Sequence, residues 1–214
     1  MLSQKRHQKV ERLFVFALTL WASSVYVLSY FDFFRRIPLS LIALFVIAGI
    51  IALIALNYAS ESFSNYFNSI SYKHLTIFNI WRIPAGAAFL YYGANNWLPE
   101  QFVINAGYGD LVIGCLVPVI LMLPESWSKY FAFHVFGMLD FVLAVGTGLV
   151  FTILQVPLME NIAGNPIVLI PLFGVPVTGA FHILTLRRLW REGNIIRNSE
   201  KRELSKNLLT QKQF

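Results

Sequence analysis

The fold of this chain is most tightly restricted by its continuous apolar runs, each about as long as a bilayer is thick. A helix needs about 20 mostly apolar residues to cross the hydrocarbon core of a membrane. Six runs approach this length, at residues 13–30, 39–59, 75–92, 103–123, 130–154 and 167–186. They do not alternate polar and apolar residues as barrel strands do. The sequence therefore predicts an all-α, polytopic transmembrane helical bundle of about six spans.

The composition also indicates a membrane protein. Hydrophobic residues make up 57% of the chain and charged residues 13%, and the mean hydropathy is +0.60. A soluble domain carries about 25% charged residues. The apolar run 13–30 follows a basic start, as in a signal peptide, but it exceeds the usual signal core of about 7–15 residues, and no small-residue cleavage site followed by a soluble domain appears. We interpret it as the first permanent span.

The positions of the basic residues predict the orientation of the chain. The net charge is +6, and if both termini are cytoplasmic, the inner segments hold fourteen of the seventeen Lys and Arg residues while the outer loops hold two. Such an excess marks the cytoplasmic side. We expect an N-in, C-in protein of the inner (cytoplasmic) membrane, with a basic N-terminus at 1–12, a transmembrane domain at 13–189 and a basic tail at 190–214.

The same distribution bears on partners. Basic residues at the two ends of a membrane protein are typical of contact with anionic lipid at the cytoplasmic face, and they argue against nucleic acid as a partner. The lipid bilayer and a small solute or ion are the expected partners, and the sequence is compatible with a homo-oligomer. Cys115 is the only cysteine, which excludes an intrachain disulfide and a CxxC redox motif.

Three charged residues lie well inside the predicted spans: Arg82, Asp110 and Asp140. A charge near the bilayer centre costs about 2.5–3.5 kcal/mol on insertion scales, so each should face protein or water and have a partner. Glycines lie on the same helix faces as these charges, three or four residues away: Gly86, Gly107, Gly114 and Gly137. Because small residues let helices approach closely in lipid, the sequence predicts that the three charges point into the bundle.

The charges do not balance, since one arginine faces two aspartates. At 1.5 Å per residue, Arg82 lies about 10 Å and Asp140 about 15 Å from the cytoplasmic ends of their spans. Asp110 lies roughly 6–12 Å from the outer end of its span. Two arrangements remain open: a site in which the second carboxylate holds a proton or cation, or a structural Arg82–Asp140 pair with Asp110 solvated near the surface.

Two histidines and one asparagine are further candidates for this site. Asn79 lies three residues before Arg82, on the same helix face. His134 and His182 lie about 6 and 7 Å from the cytoplasmic ends of their spans, a placement compatible with bis-imidazole haem or a metal site. Hydrogen bonding to a neighbouring helix is the simpler role, and no cofactor is predicted. Because His134 and Asp140 are six residues apart, they lie about 120° apart around the helix and should make separate contacts.

These observations support one main hypothesis and two alternatives. The main one is a protein that binds or transports a proton, ion or small solute at a site formed by Arg82, Asp110 and Asp140, assisted by Asn79, His134 and His182. The first alternative is a membrane redox or lipid-modifying enzyme that uses the two histidines as cofactor or metal ligands. The second is a non-catalytic partner or sensor subunit. The sequence contains no Walker loop, GxSxG or HExxH motif that would indicate a particular enzyme.

Overall fold

The computed structural model describes the backbone of residues 2–211 and the side chains of residues 6–195, and within these ranges the chain is helical with no strand. The α-helices are α1 (Leu2–Tyr30), α2 (Leu39–Ala59), α3 (Glu61–Ser69), α4 (Tyr72–Ile77), α5 (Arg82–Ala94), α6 (Glu100–Phe102), α7 (Gly109–Met122), α8 (Trp127–Ile153) and α9 (Val175–Gln211). The all-α class predicted from the sequence is confirmed.

Five helical segments are long and apolar enough to cross a membrane: Arg6–Tyr30, Leu39–Ala59, Glu100–Met122, Trp127–Ile153 and Ile170–Ile195. Large apolar side chains also cover the outside of the bundle. Phe16 is 64% exposed, Leu139 64% and Ile153 69%. Such extensive apolar exposure is typical of a surface that contacts lipid. The prediction of a membrane-type helical bundle is therefore confirmed.

The predicted third span, residues 75–92, is not one regular helix. It is divided into α4, a 3-10 turn at Phe78–Trp81 and α5, and none of these pieces reaches eighteen residues. Pro84 explains part of the break, because it lacks the N–H that would bond to the carbonyl of Ile80. Proline is tolerated in the first turn of a helix, where Pro84 lies in α5. The backbone is thus irregular immediately before Arg82.

Most of the predicted N-terminal segment and of the predicted tail belong to the first and last helices. The predicted N-terminal segment 1–12 is helical from Leu2 onward, and α9 runs through residue 190 without a break as far as Gln211. Residue 1 and residues 212–214 of the predicted N-terminus and tail lie outside the described part of the chain.

Two π-helical turns interrupt the bundle near the buried charges. Val103–Tyr108 joins α6 to α7 just before Asp110, and Ile170–Gly174 leads into α9. Single π turns within helices occur frequently at functional sites. The second turn packs against the indole of Trp81, which a Cβ atom at Gly174 would strike.

Glycines allow the central helices to approach one another as predicted. A Cβ atom at Gly86 would lie 2.6 Å from the carbonyl oxygen of Gly107, and one at Gly114 would lie 3.0 Å from the backbone nitrogen of Ile83. Contacts this close require glycine, so α5 and α7 pack nearly backbone to backbone. This approach brings the start of α5, where Arg82 lies, against Gly114 in α7.

Candidate functional site

The three intramembrane charges meet in the centre of the bundle. The Nε of Arg82 donates to Oδ1 of Asp110 at 2.6 Å, and Nη2 donates to Oδ2 of Asp140. The third nitrogen, Nη1, donates to the carbonyl oxygen of Gly137 at 3.5 Å. The arginine side chain is 2% exposed and each carboxylate side chain 10%. We call Arg82, Asp110 and Asp140 the buried triad.

This geometry bears on one of the two arrangements left open by the sequence. Asp110 is buried and bonded to Arg82, so the arrangement with Asp110 solvated near the surface is wrong. Asp110 is buried because α5 packs closely on α7, and this packing cannot be predicted from the depth of a residue along a single helix. Gly109 also contributes, because a Cβ atom there would overlap the carboxylate of Asp140. Because Gly109 has no Cβ atom, α7 and α8 can approach each other while both aspartates contact the same arginine.

The two buried histidines contact each other. The Nδ1 atoms of His134 and His182 are 3.0 Å apart, each side chain is 1% exposed, and neither Nε2 has a hydrogen-bond partner. His182 lies against Gly137, where a Cβ atom would be 2.6 Å from its Cε1. The carbonyl of the same glycine accepts from Arg82. The histidine pair therefore adjoins the buried triad.

The histidine geometry also bears on a cofactor. Bis-imidazole haem ligation places an iron between two imidazole nitrogens. Here the two Nδ1 atoms are instead in hydrogen-bond contact, so the pair as arranged does not fit that role. Among the described residues, no group of three or more His, Cys, Asp or Glu side chains could hold a metal ion.

Further buried polar groups lie on the helices that carry the histidines and on the segment packed against those helices. Eight buried side-chain N or O atoms among the described residues have no hydrogen-bond partner, and six of them lie on α4 and the 3-10 turn after it, α8 and α9. These six belong to Tyr72, Thr76, Asn79, His134, His182 and Thr185. We call this set the polar column. Buried polar atoms are almost always bonded by protein or ordered water, so their concentration in one place is unusual.

The polar column leads to the buried triad. Tyr72, Thr76, Asn79 and Arg82 are spaced four, three and three residues apart, which places them on one helix face. α4 packs against α8 and α9, which carry the other members. At the far end, the ring of Tyr72 lies 5.7 Å from that of Tyr130.

A second, apolar space reaches the buried triad. A cavity of about 100 Å³ is bordered by Arg82 and Asp110 and otherwise lined mainly by apolar side chains of α2, α5, α8 and both π turns. Its exposed lining residues include Ile47 on α2 and Leu149 on α8. Trp81 also lines it and donates from Nε1 to Oγ1 of Thr178 at 3.0 Å. The triad thus borders both the polar column and this apolar cavity.

The family of the chain follows from a comparison with known families. Residues 38–190, more than half of the chain, match the family described as Domain of unknown function (DUF8737). The chain belongs to this family. The matched segment contains the buried triad, the polar column and every residue that lines the apolar cavity. No curated protein matches the chain, and no solved structure does.

Several residues at the site were not predicted from the sequence. Tyr72, Thr76 and Thr185 are uncharged, and such residues are ordinary near the ends of membrane helices. The regular spacing of Tyr72, Thr76, Asn79 and Arg82 is a signal that could have identified the first two. Gly109 was missed because it precedes Asp110 directly and so lies off the glycine face that carries this aspartate.

Proposed function

We propose that this chain is a small inner-membrane protein that binds and moves a proton or small cation at the buried triad. The proposal includes about six crossings with both termini in the cytoplasm. The observation that carries it is the contact of one buried arginine with two carboxylates whose side chains are each only 10% exposed. With both carboxylates ionised, the triad holds a net charge of −1 away from water.

A cation is the ligand class that this charge favours. An unbalanced charge inside a membrane bundle is costly, and a proton or a bound cation removes it. An anion would add to the imbalance. The triad therefore alternates between a neutral loaded state and a charged empty state, as a cation-translocating site requires.

The polar column favours the proton within this class. Hydroxyl and imidazole groups can both donate and accept a proton, so a hydrated row of them is suited to a proton relay. The column begins near Tyr72 and Tyr130, next to the inner-loop residues Lys73 and Lys129. It therefore gives the triad a connection to the cytoplasm in the proposed orientation.

The topology is supported by the helices and the charges together. Five segments are long enough to cross, and the divided segment from Tyr72 to Ala94 adds a sixth passage through the bundle. An even number of crossings returns both termini to one side. The excess of Lys and Arg in the corresponding segments favours the cytoplasm for that side.

Proton flux into liposomes tests the proposal. Purified protein is reconstituted with a pH-sensitive dye inside, and a potassium diffusion potential drives the flux; a parallel set with a sodium-sensitive dye tests a metal cation. We expect Asp110→Asn and Asp140→Asn each to reduce the flux by about tenfold or more. Each variant leaves Arg82 paired with one carboxylate, so the fold should be retained.

Asp32→Asn is the matched control, because Asp32 is 60% exposed on a loop and its backbone φ of 56° is one that asparagine adopts readily. Its flux should equal that of the wild type. Flux that survives both triad substitutions, or wild-type flux no greater than that of empty liposomes for either cation, would contradict the proposal.

A further inference from the structure

A separate, polar cavity lies apart from the buried triad, where α2 ends and α3 begins. Its volume is about 390 Å³, and three arginines of α9 line it: Arg187, Arg188 and Arg191. Among the described residues that line it, Glu61 is the only acidic one. The cavity shares no residue with the triad, the polar column or the apolar cavity.

Two of the arginines are held in place by aromatic rings. The guanidinium of Arg187 lies 4.4 Å from the ring centroid of Tyr58, and that of Arg188 lies 4.3 Å from the ring centroid of Tyr72. Arg188 also donates from Nη1 to the carbonyl oxygen of Ile70 at 2.7 Å and from Nε to Glu192 at 3.1 Å. A guanidinium stacked on a ring keeps the N–H groups at its edge for another acceptor.

The carboxylates of the described side chains do not balance the positive charge in this cavity. In the part of the chain with described side chains, Arg188 is the only one of the three arginines with a carboxylate within ion-pair distance. Arg187 and Arg191 therefore present two positive charges to the cavity, against the single carboxylate of Glu61. An anion with several oxygen acceptors would complement this arrangement.

Uncharged groups add to the site. Asn57 lines the cavity, is only 9% exposed and has an Oδ1 atom with no hydrogen-bond partner. Ser64 and Asn68 of α3 also line the cavity, and Nδ2 of Asn68 donates to Oγ of Ser64 at 3.4 Å. A buried amide oxygen is an acceptor, so it fits a hydroxyl group carried by the same ligand.

We propose that Arg187, Arg191 and Asn57, with Arg188 at their side, form a binding site for a phosphate group. The site lies at the end of the α2 span, beside the exposed ring of Tyr58, and so at the level of lipid headgroups. In the proposed orientation this is the cytoplasmic leaflet. The phosphate comes either from an anionic phospholipid or from a soluble phosphate in the cytoplasm.

Binding measurements on the purified full chain distinguish these sources. Native mass spectrometry follows retention of dioleoyl phosphatidylglycerol against dioleoyl phosphatidylcholine, and thermal unfolding in detergent follows stabilisation by inorganic phosphate at constant ionic strength. We expect Arg187→Gln/Arg191→Gln to weaken binding of the phosphate-bearing ligand by about tenfold or more. Retention of phosphatidylglycerol alone identifies lipid as the source, whereas stabilisation by inorganic phosphate alone identifies a soluble ligand.

Arg35→Gln/Arg36→Gln is the matched control, since it removes the same charge from a loop at the other end of the bundle. It should bind like the wild type. The single variant Arg191→Gln, at an exposed position, keeps the test valid if the double variant does not fold. The proposal is overturned if the cavity variants and the control bind alike in both measurements, or if phosphatidylcholine is retained as well as phosphatidylglycerol and inorganic phosphate has no effect.

Discussion

The Nδ1 atoms of His134 and His182 lie 3.0 Å apart inside the helical bundle. A hydrogen bond at this distance requires one imidazole to donate and the other to accept. If both rings are neutral, the donor has a bare Nε2 and the acceptor carries its proton on Nε2. The pair is therefore polar at both outer ends. Transfer of the shared proton, together with uptake of a proton at the bare Nε2 and release of one from the other Nε2, leaves both rings neutral and reverses which end donates.

This contact predicts strong coupling between the two histidines. His134→Leu or His182→Leu alone should lower the free energy of unfolding by about 1–3 kcal/mol, because each leaves a buried Nδ1 atom unpaired. The double substitution should cost clearly less than the sum of the two. Unfolding of the wild type, the two single variants and the double variant in mixed detergent–lipid micelles measures the coupling. Strictly additive costs would show that the contact is not a hydrogen bond.

The buried triad predicts that a charge lost from the arginine can be compensated. Arg82→Gln leaves two carboxylates buried without a cation and should lower the free energy of unfolding by about 3–5 kcal/mol. Adding Asp140→Asn removes one of these charges and should recover part of the loss. Unfolding of the single and double variants under the same conditions gives the comparison. A double variant no more stable than Arg82→Gln would mean that the two residues do not interact as a charge pair.

The members of the buried triad could be predicted because a charge within an apolar run is a local property of the sequence. Their joint contact could not, since it depends on how α5, α7 and α8 pack against one another. The position of Asp110 illustrates this. The depth of Asp110 along its own helix was compatible with a solvated carboxylate. The glycine contacts between α5 and α7 instead bring Asp110 into contact with Arg82.

The remaining differences have similar causes. Hydropathy predicted a continuous third span, because average polarity does not detect a 3-10 turn before a proline. Counting residues predicted that His134 and His182 lie at similar depths in the membrane. Their contact could not be predicted without knowing that α8 and α9 are neighbours. Tyr72, Thr76 and Thr185 attract attention only because each has a buried hydroxyl oxygen without a hydrogen-bond partner in the structure.

Gly109 provides a steric test of the site. Gly109→Ala places a Cβ atom onto the carboxylate of Asp140, which must move away from Arg82. We expect loss of stability of about 1–3 kcal/mol and a marked fall in proton flux. Gly146→Ala is the matched control, because a Cβ atom there meets nothing within 4 Å. Equal stability and flux in the two variants would contradict the close approach of α7 to Asp140.

The polar column makes a prediction about access of water. In a Cys115→Ser background, Thr76→Cys and Thr185→Cys should react with a small, membrane-impermeant thiol reagent added from the cytoplasmic side, because a thiol ionises readily only where water reaches it. Labelling of inside-out and right-side-out vesicles, read by mass spectrometry, measures both the extent and the side of reaction. Both positions are buried, so reaction there requires a hydrated path through the bundle.

Thr19→Cys is the control for this experiment, since Thr19 has the same native side chain and lies exposed on the outer face of α1, towards lipid. A thiol in the hydrocarbon region stays protonated and should remain unlabelled from either side. Labelling of Thr76→Cys and Thr185→Cys from the cytoplasmic side alone would support a column that ends at the buried triad. Labelling no faster than at Thr19→Cys would show that the column is dry, and a proton would then need another route to Arg82.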